Sequence, residues 1–223
     1  MHASSYFTGK RFFEVYTKEA KNFSVVEIGS QNVNGALRDH RPENCSSYVG
    51  LDMERGLGVD LVLEDPYVFP FQDNTFDFLI TSSCFEHSEM FWITFIEGMR
   101  ILKPHGVMYC NAPALWEYHN VPIDCWRFFP HSAKGLETWA HKNGYNSAVL
   151  ESFVVPADKI FTSGSKHDWA SVFIKDKNYI QKYPDRMIDS LVGYTDYTFG
   201  YRYPHNERFS AGWNQLDSPW RLE

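Results

Sequence analysis

Four residues suited to chemistry fall within nine positions, His119, Asp124, Trp126 and Arg127, in the segment Tyr118-His-Asn-Val-Pro-Ile-Asp-Cys-Trp-Arg-Phe-Phe-Pro130. An imidazole exchanges a proton near neutral pH, so His119 is a candidate general base and Asp124 a group to orient it. A guanidinium pairs with anions and an indole offers a flat face to a sugar ring, which makes Arg127 and Trp126 candidate substrate contacts. The competing reading is a structural Asp124–Arg127 ion pair beside a Trp126 that belongs to the core. Glu86-His87 is a second candidate, with His87 either a rival base or a residue that orders the start of a helix.

These groups need a frame, and the stretch Val25-Val-Glu-Ile-Gly-Ser-Gln-Asn-Val-Asn-Gly35 supplies its centre. The β-branched run suits a buried strand, and Gly29 and Gly35 permit a turn closed to other residues. Glu27 is a carboxylate where the strand should be dry, so it needs amides, a ligand or a cation, or an internal salt bridge. Ser47-Tyr-Val-Gly-Leu-Asp52 is a second strand ending in an acid, the place where open α/β sheets contact a ribose. An ordinary turn-capping acid is the alternative for Asp52.

The run Glu27-Ile-Gly-Ser-Gln-Asn-Val-Asn-Gly35, then Gly50-Leu-Asp52, Phe69-Pro-Phe-Gln-Asp-Asn-Thr-Phe-Asp-Phe-Leu-Ile80, Phe85-Glu-His87 and Arg100-Ile-Leu-Lys-Pro-His-Gly106 resembles class I S-adenosylmethionine-dependent methyltransferases. The resemblance covers residues 24 to 113 and is to small-molecule enzymes of the type 11 kind. Gln31 and Val33 stand where the family has glycines. The resemblance implies a cofactor, S-adenosylmethionine, contacted by Glu27, Gly29, Ser30, Gln31, Gly35, Asp52 and Met53. It places Asp65 and Pro66 by the adenine, although Asp65 also suits a plain turn. Ser82 and Ser83 then face the methionine moiety. The segment from His119 to Pro130 resembles a subgroup that modifies sugars and polysaccharides, so the implied reaction is methyl transfer to a hydroxyl of a sugar or nucleotide sugar, with a small amine as the alternative acceptor. An in-line displacement at the methyl needs positioning and water exclusion more than catalytic groups, with a base added for a hydroxyl. No metal is expected, since Asp124, Asn111 and Asn120 do not assemble an oxygen-ligated site.

Strands at 25–28, 47–52, 56–63, 76–80 and 107–110, with helices at 5–21, 88–102 and 133–143, imply an α/β, Rossmann-like doubly wound and mostly parallel sheet. The family resemblance adds a hairpin from strands 148–155 and 170–175, giving seven strands with an antiparallel last one. The domain spans 1–176, with an N-terminal helix in 1–22 and an acceptor-side loop at 114–132. Residues 177–223 form an aromatic C-terminal extension that either wraps its own domain, caps the site as a lid or meets a second copy in a homodimer.

A chain of 223 residues with 43% hydrophobic and 17% aromatic residues builds one sizeable core. The net charge of −7 disfavours a phosphate backbone, so no nucleic acid is expected as partner. No apolar run approaches a membrane span and the first residues lack a basic region followed by an apolar one, so the expectation is a cytoplasmic protein with a small-molecule partner and no membrane contact. The four cysteines lack zinc spacing and read as reduced core thiols. A nicotinamide-dependent reductase would show Gly-x-Gly-x-x-Gly after the first strand, which Gly29-Ser-Gln-Asn-Val-Asn does not. A non-catalytic descendant that keeps the fold for binding stays open, because Gln31 and Val33 replace glycines.

Overall fold

A computed structural model describes residues 3–156, 166–191, 199–203 and 207–210. Among the described residues nine strands form one sheet: β1 Phe23–Ile28, β2 Cys45–Asp52, β3 Leu61–Val62, β4 Phe76–Ser82, β5 Leu102–Leu115, β6 Ala148–Pro156, β7 His167–Ile174, β8 Phe199–Arg202 and β9 Glu207–Ser210. Their order is β3-β2-β1-β4-β5-β7-β6-β8-β9. The first five are mutually parallel, and β7 runs antiparallel between β5 and β6. Those seven are the strands expected from the sequence; β8 and β9, from the aromatic extension, add an antiparallel edge.

Consecutive strand residues face opposite layers, because side chains alternate across a pleated strand. Val25, Phe78, Ile80, Val107 and Tyr109 point to the layer of helix α1 (Ala3–Tyr16), which buries Phe12, Phe13 and Tyr16 there. Val26, Leu79, Met108 and Cys110 point to the other layer, with Phe95 and Met99 of α2 (Phe91–Ile101) and Ala133, Leu136 and Ala140 of α3 (Ser132–Lys142). Both sheet faces are therefore dry, which is why the strands read as near-continuous apolar runs.

One local expectation changes. The third strand shrinks from residues 56–63 to two residues because Gly56-Leu-Gly58 turns back on the loop after β1. Gly58 has φ +89°, and the Asn32 amide donates to the Leu57 carbonyl at 2.8 Å. The crossover from β1 to β2 is a single 3-10 turn, Leu37–His40. On that side α1 covers the sheet, tied down by Ser4 and Ser5 hydroxyls donating to Asp168 and by Thr8 bonding the Tyr109 hydroxyl at 2.8 Å.

The segment after β7 is built into the same layer. Tyr183, Met187 and Ile188 are buried with α1, and buried Glu151 of β6 accepts from the Tyr16 hydroxyl (2.5 Å) and from the amides of Met187 (3.0 Å) and Ile188 (2.8 Å). Those amides open the short helix α4 (Met187–Leu191), where a carboxylate satisfies donors that have no partner within the helix. Tyr194, Tyr197, Trp213 and Trp220 lie outside the described residues. Among those described, no helix is long and apolar enough to cross a membrane.

Candidate active site

The carboxyl ends of the parallel strands carry most of the candidate residues, as the topology of an open sheet requires. Gly29 follows β1 with φ +72°, and a Cβ there would lie 2.7 Å from Cys84 Cβ, so only glycine fits between β1 and the segment after β4. The Gly29 and Ser30 amides both donate to the Leu51 carbonyl, at 2.9 and 3.0 Å, which fixes the turn on β2. Gln31 continues from it, its amide donating to Asp52 Oδ2 at 3.0 Å and its side chain lying against Gly56. Gly35 closes the loop by donating to Asn32 Oδ1 at 2.8 Å.

Asp52, the last residue of β2, also accepts from the Met53 amide at 2.8 Å. A carboxylate has about four lone-pair directions, so it retains acceptor capacity for hydroxyls of a ribose. Buried Ser30 Oγ, which lies against Gly50, has no hydrogen-bond partner. These observations fit a cofactor of the nucleoside class along this edge. Asp65 lies past β3, exposed, its Oδ1 accepting from the Tyr67 amide at 2.8 Å in a turn that includes Pro66. Ser83 has φ +51° and donates its amide to the Asn111 carbonyl, while Ser82 Oγ donates to Asn111 Oδ1 at 3.2 Å.

Glu27 is 3% exposed, and its partner is a hydroxyl: Tyr48 donates to it at 2.5 Å. Burial pushes its carboxyl up to about 7, against the lowering effects of that hydrogen bond and of Arg38. An acid whose native pKa lies above its ordinary value resists ionising only when folded. Its contribution to stability is therefore full below about pH 4.5 and declines as pH rises toward 7, by about 3 kcal/mol in all. Urea unfolding at pH 5 and pH 8 checks this: Glu27→Gln should flatten the wild-type fall with pH, and an unchanged slope would show that Glu27 is not the group responsible.

The acceptor-side loop is clamped against the residues that follow β4. The Cys125 amide donates to the Glu86 carbonyl (2.7 Å), Trp126 Nε1 to the Ser88 carbonyl (3.0 Å) and the Phe128 amide to the Pro113 carbonyl (3.0 Å), and His87 Nδ1 bonds the Ile123 carbonyl. Asp124 and Arg127 form a bidentate pair at 2.5 and 2.7 Å. The other Arg127 donors go to the carbonyls of Trp116, Trp126 and Glu117, so all five N–H groups are engaged within the loop and none points to a bound anion. Arg127 holds Asp124 well below the usual carboxylate range, ahead of the opposing effect of burial.

Asp124 also accepts from the His119 amide at 2.8 Å and lies 3.2 Å from His119 Nδ1. His119 and His87 meet edge to face with ring centres 5.0 Å apart. Trp126 is 37% exposed and packs edge-on against Phe91 and Trp92, so it is a surface platform with one edge anchored. The residue that sequence reasoning left without a role is Glu86: 1% exposed, pushed by burial up to about 8, with Oε2 unpartnered. Its only sequence signal was its place beside His87. The structure joins His119, His87, Asp124, Trp126 and Arg127 into one cluster and sets Gly29, Ser30, Gln31 and Asp52 in another on the same sheet edge.

The fold and this edge define a Rossmann-like α/β domain with a nucleoside-type sheet edge. Residues 11–110, 100 of the 223 residues, match the family described as "Methyltransferase domain". No curated protein matches the chain. Among solved structures it is similar to a putative sarcosine dimethylglycine methyltransferase from Galdieria sulphuraria, at 16% identity and TM-score 0.56, covering 76% of this chain and 86% of that one. It is also similar to the 1,6-didemethyltoxoflavin-N1-methyltransferase of Burkholderia thailandensis with bound S-adenosylhomocysteine, at 12% identity and TM-score 0.59, covering 78% and 79%. The [4+2]-cyclase SpnF is a third, at 13% identity and TM-score 0.54, covering 75% and 80%.

Proposed function

We propose that the chain transfers the methyl group of S-adenosylmethionine to a hydroxyl of a small polar acceptor of the sugar or nucleotide-sugar class. The observation that carries this is the clamped loop from Trp116 to Phe128, which sets the half-exposed Trp126 face and the His87–His119 pair beside the segment after β4. The bound cofactor supplies an electrophilic methyl on a sulfonium. The protein's part is to hold the acceptor oxygen in line with it and to exclude water, which can account for about 7–11 kcal/mol of barrier lowering in well-oriented systems. In this reading Asp52 accepts from ribose hydroxyls, Gly29 and Ser30 lie under the amino-acid end, and Asp65 meets the adenine. The net charge of −7 supports a small acceptor over a nucleic acid.

Two proteins of similar fold carry names that specify methylation at nitrogen or of an amino acid, and one is a cyclase, so acceptor and reaction are tested together. Purified protein with methyl-labelled S-adenosylmethionine should turn over nucleotide sugars or glycosides, with small amines and oligonucleotides as the comparison arms. Turnover confined to amines would move the acceptor to nitrogen, and turnover confined to oligonucleotides would overturn the proposal. Failure to bind S-adenosylmethionine in calorimetry would leave a non-catalytic scaffold.

A further inference from the structure

Glu86, His87 and His119 offer three metal-ligating atoms that all lie within 4.8 Å of one another, one carboxylate oxygen and two imidazole nitrogens. This set is distinct from the oxygen ligands of Asp124, Asn111 and Asn120, which do not assemble a site. His119 is 32 positions from His87 and reaches it only when the loop folds back on residues 86–88.

Three features prepare the cluster for a cation. Glu86 is buried with Oε2 unpartnered, an arrangement that costs free energy in the empty protein and is relieved by a positive charge. Its Oε1 lies 3.7 Å from His87 Nε2. His87 Nδ1 is bonded to the Ile123 carbonyl, so in the neutral ring Nδ1 carries the proton and Nε2 the lone pair. His119 Nδ1 has two acceptors at 3.2 Å, Asp124 Oδ2 and the Glu117 carbonyl, which fix the same tautomer. A carbonyl or carboxylate behind the outer ring nitrogen is how proteins orient and strengthen metal-bound histidines.

We infer that Glu86, His87 and His119 form a binding site for one divalent first-row transition ion, a site that the methyltransferase reading neither requires nor supplies. Two imidazoles and one carboxylate suit zinc or ferrous iron and disfavour magnesium and calcium, which take oxygen ligands. Bonds of about 2.0–2.2 Å place tetrahedral ligands about 3.3 Å apart, so the cluster closes by about 0.5–1.5 Å on loading. The His119 side chain, 36% exposed, can supply that movement by rotating on the anchored loop. Three protein ligands leave a coordination position open on that side, next to the proposed acceptor position. His87 and His119 are thereby assigned as ligands in place of the proton-accepting role that their sequence suggests.

Chelator-treated full-length protein titrated with zinc chloride, and separately with cobalt chloride followed by visible absorption, tests this without reference to methyl transfer. One ion per chain should bind at micromolar affinity or tighter. His119→Ala and the isosteric Glu86→Gln should each weaken binding by about a hundredfold or more, Asp124→Asn by about 10- to 100-fold through the orientation of His119, and His131→Ala not at all. Wild-type protein that takes up neither ion in stoichiometric amount overturns the site, as does wild-type affinity in both His119→Ala and Glu86→Gln. Metal uptake without any methyl transfer leaves this inference standing and removes the proposed reaction; methyl transfer without metal uptake does the reverse.

Discussion

Asp52→Ala should weaken S-adenosylmethionine binding by about 10- to 150-fold while the fold persists. Hydrogen bonds to a charged acceptor contribute about 1.5–3 kcal/mol, and each 1.4 kcal/mol is a factor of ten in affinity. The residue ends β2 on the sheet edge where nucleosides bind in open α/β folds. It also holds the Gln31 and Met53 amides at 3.0 and 2.8 Å, so its removal loosens the loop that would lie under the cofactor as well as deleting an acceptor. Asp52→Asn keeps the shape and one acceptor oxygen and should fall between wild type and alanine. Isothermal titration of the three proteins checks the order, and equal affinities would move the ribose contact away from Asp52.

The second large effect is on the acceptor-side loop. Asp124→Ala should destabilise the protein by about 2–4 kcal/mol, below the 3–5 kcal/mol typical when one partner of a fully buried pair is removed, because Arg127 is 23% exposed and keeps three carbonyl partners. Asp124 itself is 1% exposed and receives the Arg127 fork and the His119 amide. Its native pKa is lowered, so its contribution is present above the ordinary carboxylate value of about 3.9 and is lost only as pH falls below that. The loop is therefore anchored throughout the neutral range, and the effect of the mutation should be constant there. Amide hydrogen exchange across 116–128, with urea unfolding, measures both parts; undiminished protection of the Cys125 and Phe128 amides in the variant would show that the ion pair does not hold the loop.

The central strands were legible because each signal was local. Val25-Val26, Phe78-Leu79-Ile80 and Val107-Met-Tyr-Cys110 are apolar on consecutive residues, as strands covered on both faces must be. Gly29 was legible for the same reason, since a turn that needs φ +72° admits few other residues. What escaped depended on partners distant in sequence. Nothing in Gly56-Leu-Gly58 shows that it folds against Ser30 and Asn32, so a two-residue strand read as an eight-residue one. Arg127 looks the same in sequence whether its donors meet a substrate or five acceptors of its own loop, and only the fold back onto residues 86–88 decides. Glu86 likewise owes its burial to the loop that covers it.

The ties from α1 to β6 and β7 also set a timetable. Ser4 and Ser5 bond Asp168, 164 and 163 positions later, and Tyr16 bonds Glu151, 135 positions later. The first helix leaves the ribosome with its apolar face formed and its partners not yet synthesised, and contacts of such long range close late because loop closure must precede them. Until β6 and β7 emerge, Phe12, Phe13 and Tyr16 have no complete sheet to cover, so the nascent chain carries an exposed aromatic surface of the sort that chaperones bind.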